Sequence, residues 1–400
     1  MPYLGEKTIV LGMSGGIACY KAVELVRTLV KEGAKVRVIM TAGAQQFVRP
    51  LTLQTLSGEP VATDTFDLTQ ESEIGHIRLA DSADVLLIAP ATANVIAKLA
   101  HGLADDLLTT VAMATRAPIV VAPAMNVNMF QNRVVQENLE HLRQLGMRIV
   151  DPEEGFLACG YEGQGRLASE AALVEGIRSA LTPQSLAGER VLVTAGPTRE
   201  AIDPVRFVSN RSSGKMGYAL ARAGLRRGAS VALVSGPTSL EPPAGARLIS
   251  VTTAAEMRRA VLEEFPNCTA VIMAAAVSDY RPSESSSSKM KRGKGSWELR
   301  LEPNPDILKE LGAKKDGKLL VGFAAETDDP AANAKKKMRD KNLDMIVAND
   351  VTQEGSGFDG DTNIATIVDR SGASRALPLM TKDELSDQIL DHLLALKSKR

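Results

Sequence analysis

Apolar positions along the chain follow two alternating rhythms. Residues 7–13, Lys-Thr-Ile-Val-Leu-Gly-Met, form an almost unbroken apolar run. Over 17–32 the pattern changes to a helical period, with Ile17, Val23, Val26 and Leu29 on one face. Gly33 follows, where a helix C-cap needs positive φ. Lys35-Val-Arg-Val-Ile-Met40 reads as a second strand, and 85–89 and 119–122 as further strands separated by helical segments. The last element of this half falls near 148–150. Such alternation, with short Gly-bearing links, predicts a parallel sheet with helices on both faces.

The pattern then restarts. Residues 182–189, Thr-Pro-Gln-Ser-Leu-Ala-Gly-Glu, are mostly polar, contain Pro and Gly, and read as a linker. Beyond them come strands at 191–195, 231–235, 271–276, 319–323 and 344–348, with a helix at 216–227. The sequence therefore predicts an α/β chain of two doubly wound, Rossmann-like domains, 1–181 and 190–400, the first flavodoxin-like. The halves share architecture without line-by-line similarity, so this is not a repeat. The one low-complexity stretch, 283–295, holds four consecutive serines and then Lys289, Lys291, Arg292 and Lys294. Inside a domain such a stretch reads as a mobile loop.

Composition narrows the function classes. The chain has 400 residues, more than one ordinary core accommodates, and 44% of them are hydrophobic. Lys and Arg number 47 against 48 Asp and Glu. That balance gives no support for a nucleic-acid or membrane-surface role. No run reaches the length of a membrane span, and no signal peptide is apparent. Three scattered cysteines, Cys19, Cys159 and Cys268, are too few for a disulfide framework, and a reduced cytoplasmic chain is expected.

Several segments invite chemistry. Gly12-Met-Ser14-Gly15-Gly16 puts small residues at a helix N-terminus, where free N–H groups and the helix dipole favour a phosphate; many tight turns look the same. It is not the dinucleotide fingerprint G-x-G-x-x-G. The second strand also ends Met40-Thr41-Ala42, without the acid that a nicotinamide dinucleotide's ribose requires. A mononucleotide phosphate is the more natural ligand. The third strand runs into Ala91-Thr92-Ala93-Asn94, small and polar at the sheet edge where open α/β folds bind ligands. His76, after a glycine at a helix start, suits a surface or capping position as well as a catalytic one. Asn126, in Pro123-Ala-Met-Asn126, is either a helix N-cap or a substrate group. Cys159 sits among Gly160, Gly163 and Gly165, a setting for a mobile flap with a working thiol. Cys19 and Cys268 look structural. In the second half Gly214-Lys215 fails as a Walker motif, because Ser209 and Met216 stand where Gly and Ser or Thr are needed. Gly196-Pro-Thr-Arg199 and Ser212-Ser-Gly214 are the better phosphate candidates. Lys337 and Lys341 are one helical turn apart, and such a charge run is otherwise a solvated face.

Taken together these segments resemble the bifunctional phosphopantothenoylcysteine decarboxylase/phosphopantothenate–cysteine ligases of bacteria. In the first half the resemblance rests on 12–21, Gly75-His76-Ile77, 91–94, 123–126 and 158–166. In the second it rests on 194–200, Asp203-Pro-Val-Arg-Phe207, 209–217, 274–282, Lys289-Met-Lys291, Asn304-Pro-Asp306, 321–327 and Asn349-Asp350-Val351. Departures are mild: Met290 where the family often has Ile, and the serine run before Lys289. The resemblance implies FMN held by Gly12, Ser14, Gly15, Gly16, Thr41, Thr92 and Asn94. It implies flavin oxidation of the substrate's cysteinyl thiol to a thioaldehyde, loss of carbon dioxide, and return of a proton and electrons to the enethiolate. Cys159 would donate that proton, His76 would act as base or electrostatic partner, and Asn126 would orient the carboxylate. For the second half it implies Mg²⁺ near Asp279, CTP, and an acyl-cytidylate that cysteine attacks. Lys289 would then assist cytidylate formation and Asn210 amide formation. The nucleotide would lie among Gly196, Ser212, Gly214, Met273, Ala274, Ala275, Asp279, Lys289, Pro305, Asp306, Ile307, Phe323, Lys337 and Lys341. The family also implies flavin sites shared between subunits of trimers, possibly within a dodecamer. A nicotinamide-linked oxidoreductase and a binding subunit with an incomplete site are the competing readings. The absent dinucleotide fingerprint and the joint presence of His76, Asn126 and Cys159 speak against them.

Overall fold

The structure is a computed structural model. It describes residues 4–66, 75–156, 160, 162–291, 297–326, 330–350, 357 and 360–398, without the side chains of 325, 326, 330–334 and 350. Cys159, Arg292, Lys294, Gly295, Thr327 and Val351, all singled out above, lie outside the described residues. The chain divides into two compact units, 1–183 and 184–400. No helix of the described residues is long and apolar enough to cross a membrane.

The first unit opens with β1 (Thr8–Met13), α1 (Cys19–Lys31) and β2 (Lys35–Met40). Then come α2 (Pro50–Ser57), α3 (Gly75–Ser82), β3 (Val85–Ala91), α4 (Ala93–Ala100) and α5 (Leu107–Ala114). They are followed by β4 (Ile119–Pro123), α6 (Val127–Phe130), α7 (Arg133–Gln144) and β5 (Arg148–Ile149). An antiparallel pair, β6 (Glu153–Phe156) and β7 (Glu162–Arg166), precedes α8 (Glu170–Leu181). The five-stranded parallel sheet has the order β2-β1-β3-β4-β5, the flavodoxin-like order. Successive residues of each strand feed opposite cores. Ile9, Leu11 and Met13 pack with α1 and α8, while Val10 packs with α4, α5 and α7. Burial on both faces is why the strands read as apolar runs rather than alternations. Helix α1 buries Cys19, Ala22, Leu25, Val26 and Leu29, and Gly33 follows it with φ of 83°.

The second unit begins with β8 (Arg190–Ala195), β9 (Arg199–Ala201), β10 (Phe207–Ser209) and α9 (Lys215–Arg226). Next are β11 (Ser230–Ser235), β12 (Arg247–Ser250), α10 (Ala254–Glu264) and β13 (Ala270–Met273). A short antiparallel pair, β14 (Tyr280–Pro282) and β15 (Leu301–Pro303), leads to α11 (Ile307–Ala313). The unit ends with β16 (Leu319–Glu326), α12 (Pro330–Asp340), β17 (Met345–Asp350), β18 (Thr362–Asp369), β19 (Ser374–Thr381) and α13 (Lys382–Lys397). Its eight-stranded sheet runs β12-β11-β8-β13-β16-β17-β18-β19. Numbered by sequence within this sheet alone, the first six strands have the dinucleotide-fold order 3-2-1-4-5-6, and the last two add an antiparallel hairpin.

Several boundaries differ from the sequence reading by a few residues, and two of the differences have a visible cause. The strand expected over 271–276 ends at Met273, because the next residues bond to the loop after β8: Ala276 N–H donates to Gly196 O (3.0 Å). The stretch 182–189 is not uniformly loose. Leu186 is fully buried in the second unit, its N–H donates to Arg227 O, and Gln184 Nε2 donates to Arg226 O.

Candidate functional site

Each unit offers a site where strand order reverses, and there the loops leaving adjacent strands diverge and open a crevice. In the first unit the reversal lies between β1 and β3. The loop leaving β1 has no room for a side chain at Gly15, where a Cβ would stand 2.7 Å from the Gly43 carbonyl carbon. No described group accepts from the backbone N–H of Gly15, Gly16, Ile17 or Ala18, and α1 has no side-chain N-cap. Four donors at a helix start make a ready anion cradle. They border a cavity of about 400 Å³ lined also by Lys21, Thr92, Met125, Asn126, Phe156 and Arg166.

The structure brings Gly15, Gly16, Thr92 and Asn126 to this cavity. Asn126 is at once a cavity residue and the N-cap of α6, accepting from Asn128 N–H (2.8 Å). Ser14 is displaced from the expected role. The residue is 1% exposed, and its hydroxyl donates to Pro90 O (2.7 Å) and accepts from Thr92 N–H (2.9 Å). It latches the exits of β1 and β3 instead of facing the cavity. Gly12 lies within β1, where a Cβ would stand 2.2 Å from Leu108 Cδ1, so its smallness serves helix packing. Thr41 accepts from Ala44 N–H (3.3 Å), and Asn94 is exposed on α4. His76 is half-buried on α3 and lines a separate cavity of about 300 Å³ with Arg37, Glu59, Asp64 and Arg78. Among the described residues of one chain, His76 and Asn126 do not share a cavity.

Lys21 and Arg166 were given no role by the sequence reading, yet both line the first cavity. Burial, and then the nearby Arg166 charge, push the Lys21 ammonium below the ordinary lysine range; its Nζ donates to Leu167 O. The helical period had put Ile17 on the inward face with Val23, Val26 and Leu29; instead Ile17 lies just before α1, is 59% exposed, and lines the cavity with Lys21 four residues on. Cys19 and Cys268 are structural as expected: both are buried, and each thiol donates to a backbone carbonyl, of Ser14 and Phe265.

In the second unit the reversal lies between β8 and β13. Gly196 turns the chain out of β8 with φ of 73°, and Gly214 caps α9 with φ of 80°. A Cβ on Gly214 would stand 3.4 Å from Gly196 N, so the two turns touch. Gly217 lets α9 lie on β8: a Cβ there would meet Ala195 Cβ at 2.5 Å and Thr194 O at 2.8 Å. These three glycines take the positions of a dinucleotide fingerprint, split in sequence by the β9–β10 hairpin. That split is why no G-x-G-x-x-G is readable.

The hairpin is zipped to the loop after β13. Asn210 Nδ2 donates to Val277 O (3.0 Å), and Ser278 N–H donates to Thr198 Oγ1 (3.0 Å). Ser212 Oγ accepts from Gly214 N–H (3.3 Å). These bonds gather Gly196, Asn210, Ser212, Gly214, Ala274 and Ala275 at one sheet edge. Met273 and Phe323 lie near the ends of neighbouring strands, and Asp279 is exposed beyond them, its carbonyl accepting from Asn304 N–H. Asp306 follows Pro305 and precedes Ile307; it caps α11 and pairs with Lys341 (2.9 Å). Lys337 and Lys289 are exposed.

Comparison with known proteins places both units. The model described as Flavoprotein matches residues 3–182, and that described as DNA/pantothenate metabolism flavoprotein C-terminal domain matches 186–396. The coenzyme A biosynthesis bifunctional protein CoaBC of Bacillus subtilis (strain 168) is 50% identical over 400 residues, covering 99% of this chain and 98% of the relative. The protein of that description from Vibrio cholerae is 46% identical over 397 residues, covering 98% and 99%. Its Escherichia coli (strain K12) counterpart is 44% identical over 396 residues, covering 98% and 97%. Similarity of that depth runs through both switch-point sites, and this chain belongs to the family of the coenzyme A biosynthesis bifunctional protein CoaBC.

Proposed function

We propose that the chain catalyses two steps of coenzyme A biosynthesis, one in each unit. The second unit joins 4'-phosphopantothenate to cysteine at the expense of CTP, through an acyl-cytidylate. The first unit then decarboxylates 4'-phosphopantothenoylcysteine to 4'-phosphopantetheine. The observation that carries this reading is that each unit has its own glycine-built turn at its own switch point.

The first cavity suits FMN. The N–H groups of residues 15–18 fit its phosphate, and about 400 Å³ with Met125, Met129 and Phe156 in the wall fits a flavin ring. When bound, FMN supplies the redox chemistry. The chain's own residues bind and orient around it. Ser14 holds the loop, Thr41, Thr92 and Asn94 border it, and Asn126 orients the substrate carboxylate. Lys21 and Arg166 supply positive charge for the phosphorylated substrate. Cys159 delivers the proton of the return step, which requires a free thiol and suits the cytoplasm. His76 is a base or electrostatic partner. Its separate cavity, and exposed Ile17, Tyr20, Met129 and Phe156, support completion of the site by another copy within trimers, possibly of a dodecamer.

In the second unit the nucleotide lies along Gly196, Ser212, Gly214 and 273–275, against Phe323 and 305–307, with Lys337 and Lys341 nearby. No group of three or more His, Cys, Asp or Glu poised for a metal is found among the described residues. Asp279 alone suits Mg²⁺, which binds through one or two carboxylates plus substrate phosphates. Lys289 neutralises charge on the departing pyrophosphate, and Asn210 positions the acyl group. The test is an assay of both half-reactions on purified protein, with flavin content measured alongside. CTP-dependent pyrophosphate release and carbon dioxide release are expected; a colourless protein lacking decarboxylation sinks the assignment of the first unit.

A further inference from the structure

Lys289 stands in a stretch of serines and lysines that specifies no conformation of its own. The specification comes from residues more than eighty positions earlier. Asp203, in the turn between β9 and β10, has a side chain with 0% exposure. A buried carboxylate is costly unless fully paired, and this one is. Its Oδ1 accepts from the N–H groups of Val205 and Arg206, each at 2.8 Å. Its Oδ2 accepts from Arg206 Nε (2.9 Å) and Nη2 (2.6 Å), and from Met290 N–H (3.2 Å). Burial raises the pKa of this carboxyl, but Arg206 and these backbone donors outweigh it and hold the group well below the usual carboxylate range.

Arg206 extends the grip. Its Nη2 also donates to Met290 O (2.8 Å), and its guanidinium lies 5.6 Å from the ring centre of Trp297. Ser286 N–H donates to Ile202 O (2.9 Å). Both backbone polar groups of Met290, the neighbour of Lys289, are therefore held by one ion pair. The Oδ1 bonds to Val205 and Arg206 lie within the hairpin's own turn, but the β9–β10 pairing, Arg199–Ser209, Glu200–Val208 and Ala201–Phe207, does not involve the bonds to Met290. The bonds to Met290 thus serve the loop and not the hairpin.

We propose that Asp203 is a positioning residue of the ligase reaction, which with Arg206 fixes Met290 and so aims the Lys289 ammonium at the nucleotide phosphates. The proposal rests on the reading of Lys289 given above. Asp203→Asn keeps the shape and removes the charge that orients Arg206. Misplacement of a catalytic group by about an ångström costs on the order of a hundredfold, so kcat for pyrophosphate release falls about ten- to hundredfold. The KM for CTP stays within about threefold, because the nucleotide's other contacts remain. A double-mutant cycle separates positioning from general damage. In a Lys289→Gln background, followed by quenched single turnovers, Asp203→Asn changes the residual rate by less than about twofold. Emission from Trp297, the chain's single tryptophan, shifts when Asp203 is replaced.

Equal losses from Asp203→Asn with and without Lys289 overturn the proposal, as does an unchanged kcat. If Asp203→Asn does not fold, Trp297→Leu decides, since that ring is half exposed and its loss leaves the buried pair intact. A kcat reduced about two- to fivefold at unchanged melting temperature supports the grip; an unchanged kcat overturns it. Full pyrophosphate release by Lys289→Gln alone overturns the reading of Lys289, and the proposal with it, whatever Trp297 reports.

Discussion

The two switch points solve one geometric problem in two ways. In both units the first strand lies inside the sheet, and a buried hydroxyl near its end accepts from an N–H at the exit of the neighbouring strand. Ser14 Oγ accepts from Thr92 N–H, and Thr194 Oγ1 accepts from Ala275 N–H (3.1 Å). Beyond that latch the units part. The first unit passes from β1 to α1 through residues 14–18, too short to carry anything but donors. The second places residues 196–214 between β8 and α9, including a hairpin that reaches both the loop after β13 and the segment around Met290. The difference follows the chemistry. A unit whose redox work belongs to a cofactor needs a cradle. A unit that must activate a carboxylate needs its own charged and amide groups, and the hairpin brings them from distant sequence.

The largest expected effects are on those groups. Lys289→Gln should abolish cytidylate formation, with pyrophosphate release down by about 10²–10³-fold, the scale of losing one charge-stabilising donor. Asn210→Asp should still form some cytidylate but stall before the amide, since in the proposed function its amide positions an acyl group rather than a phosphate. Mass spectrometry of quenched single turnovers checks both. Acyl-cytidylate in the Lys289 variant, or rapid amide formation in the Asn210 variant, removes this division of labour. In the first unit Cys159→Ser should keep the flavin and lose completion. Serine is a far weaker acid than a thiol, so an oxidised enethiol product should accumulate. Normal turnover to phosphopantetheine takes Cys159 out of the mechanism.

A smaller effect separates the units as folding bodies. Gly217→Ala forces a Cβ to within 2.5 Å of Ala195 Cβ and 2.8 Å of a β8 carbonyl. Backbone on one side cannot rotate away, so the second unit should lose about 3 kcal/mol, the upper range for overpacking. Two-step thermal unfolding, with only the ligase step moving down, is expected. Loss of bound flavin in this variant contradicts independent units.

Much of this was legible from periodicity. Doubly buried strands such as β1, β3 and β13 are apolar runs, and runs are visible without context. The hairpin β18–β19 was not seen, because β19 exposes most of its residues and carries a proline. Helix α13 was overlooked although Thr381 and Glu384 form a readable capping box. At the sites, residue type was informative and role was not. Ser14 was read as a ligand group because small polar residues at helix starts bind anions, yet its hydroxyl is spent on Pro90 and Thr92. Whether a hydroxyl faces a cavity or a neighbouring strand depends on pairing across 76 residues, which no local pattern carries. The ion pair of Asp306 with Lys341 and the grip of Asp203 on Met290 are likewise contacts between elements that only the fold brings together.

The smallest expected effects test the latch itself. Ser14→Ala removes one of two donors to Pro90 O, which keeps the Ser14 N–H (3.2 Å), and removes the acceptor for Thr92 N–H, a half-buried group left without a partner. Such a group costs about 1–3 kcal/mol when orphaned, and the first unit should melt earlier by that amount. Flavin retention should weaken in step, since the loop that cradles the phosphate is less well held. Thr194→Val in the second unit also removes one acceptor, for Ala275 N–H, but keeps the shape. There four other bonds bridge the same two loops: Ala276 to Gly196, Thr198 to Ala276, Ser278 to Thr198, and Asn210 to Val277. Its cost should therefore be about 1 kcal/mol, at the low end for a lost bond, with pyrophosphate release little changed. Thermal unfolding of both variants, read beside flavin content and pyrophosphate release, makes the comparison. If Ser14→Ala loses flavin at an unchanged melting temperature, the hydroxyl touches the cofactor directly. If Thr194→Val is the more damaging change, the hairpin does not make the second latch redundant.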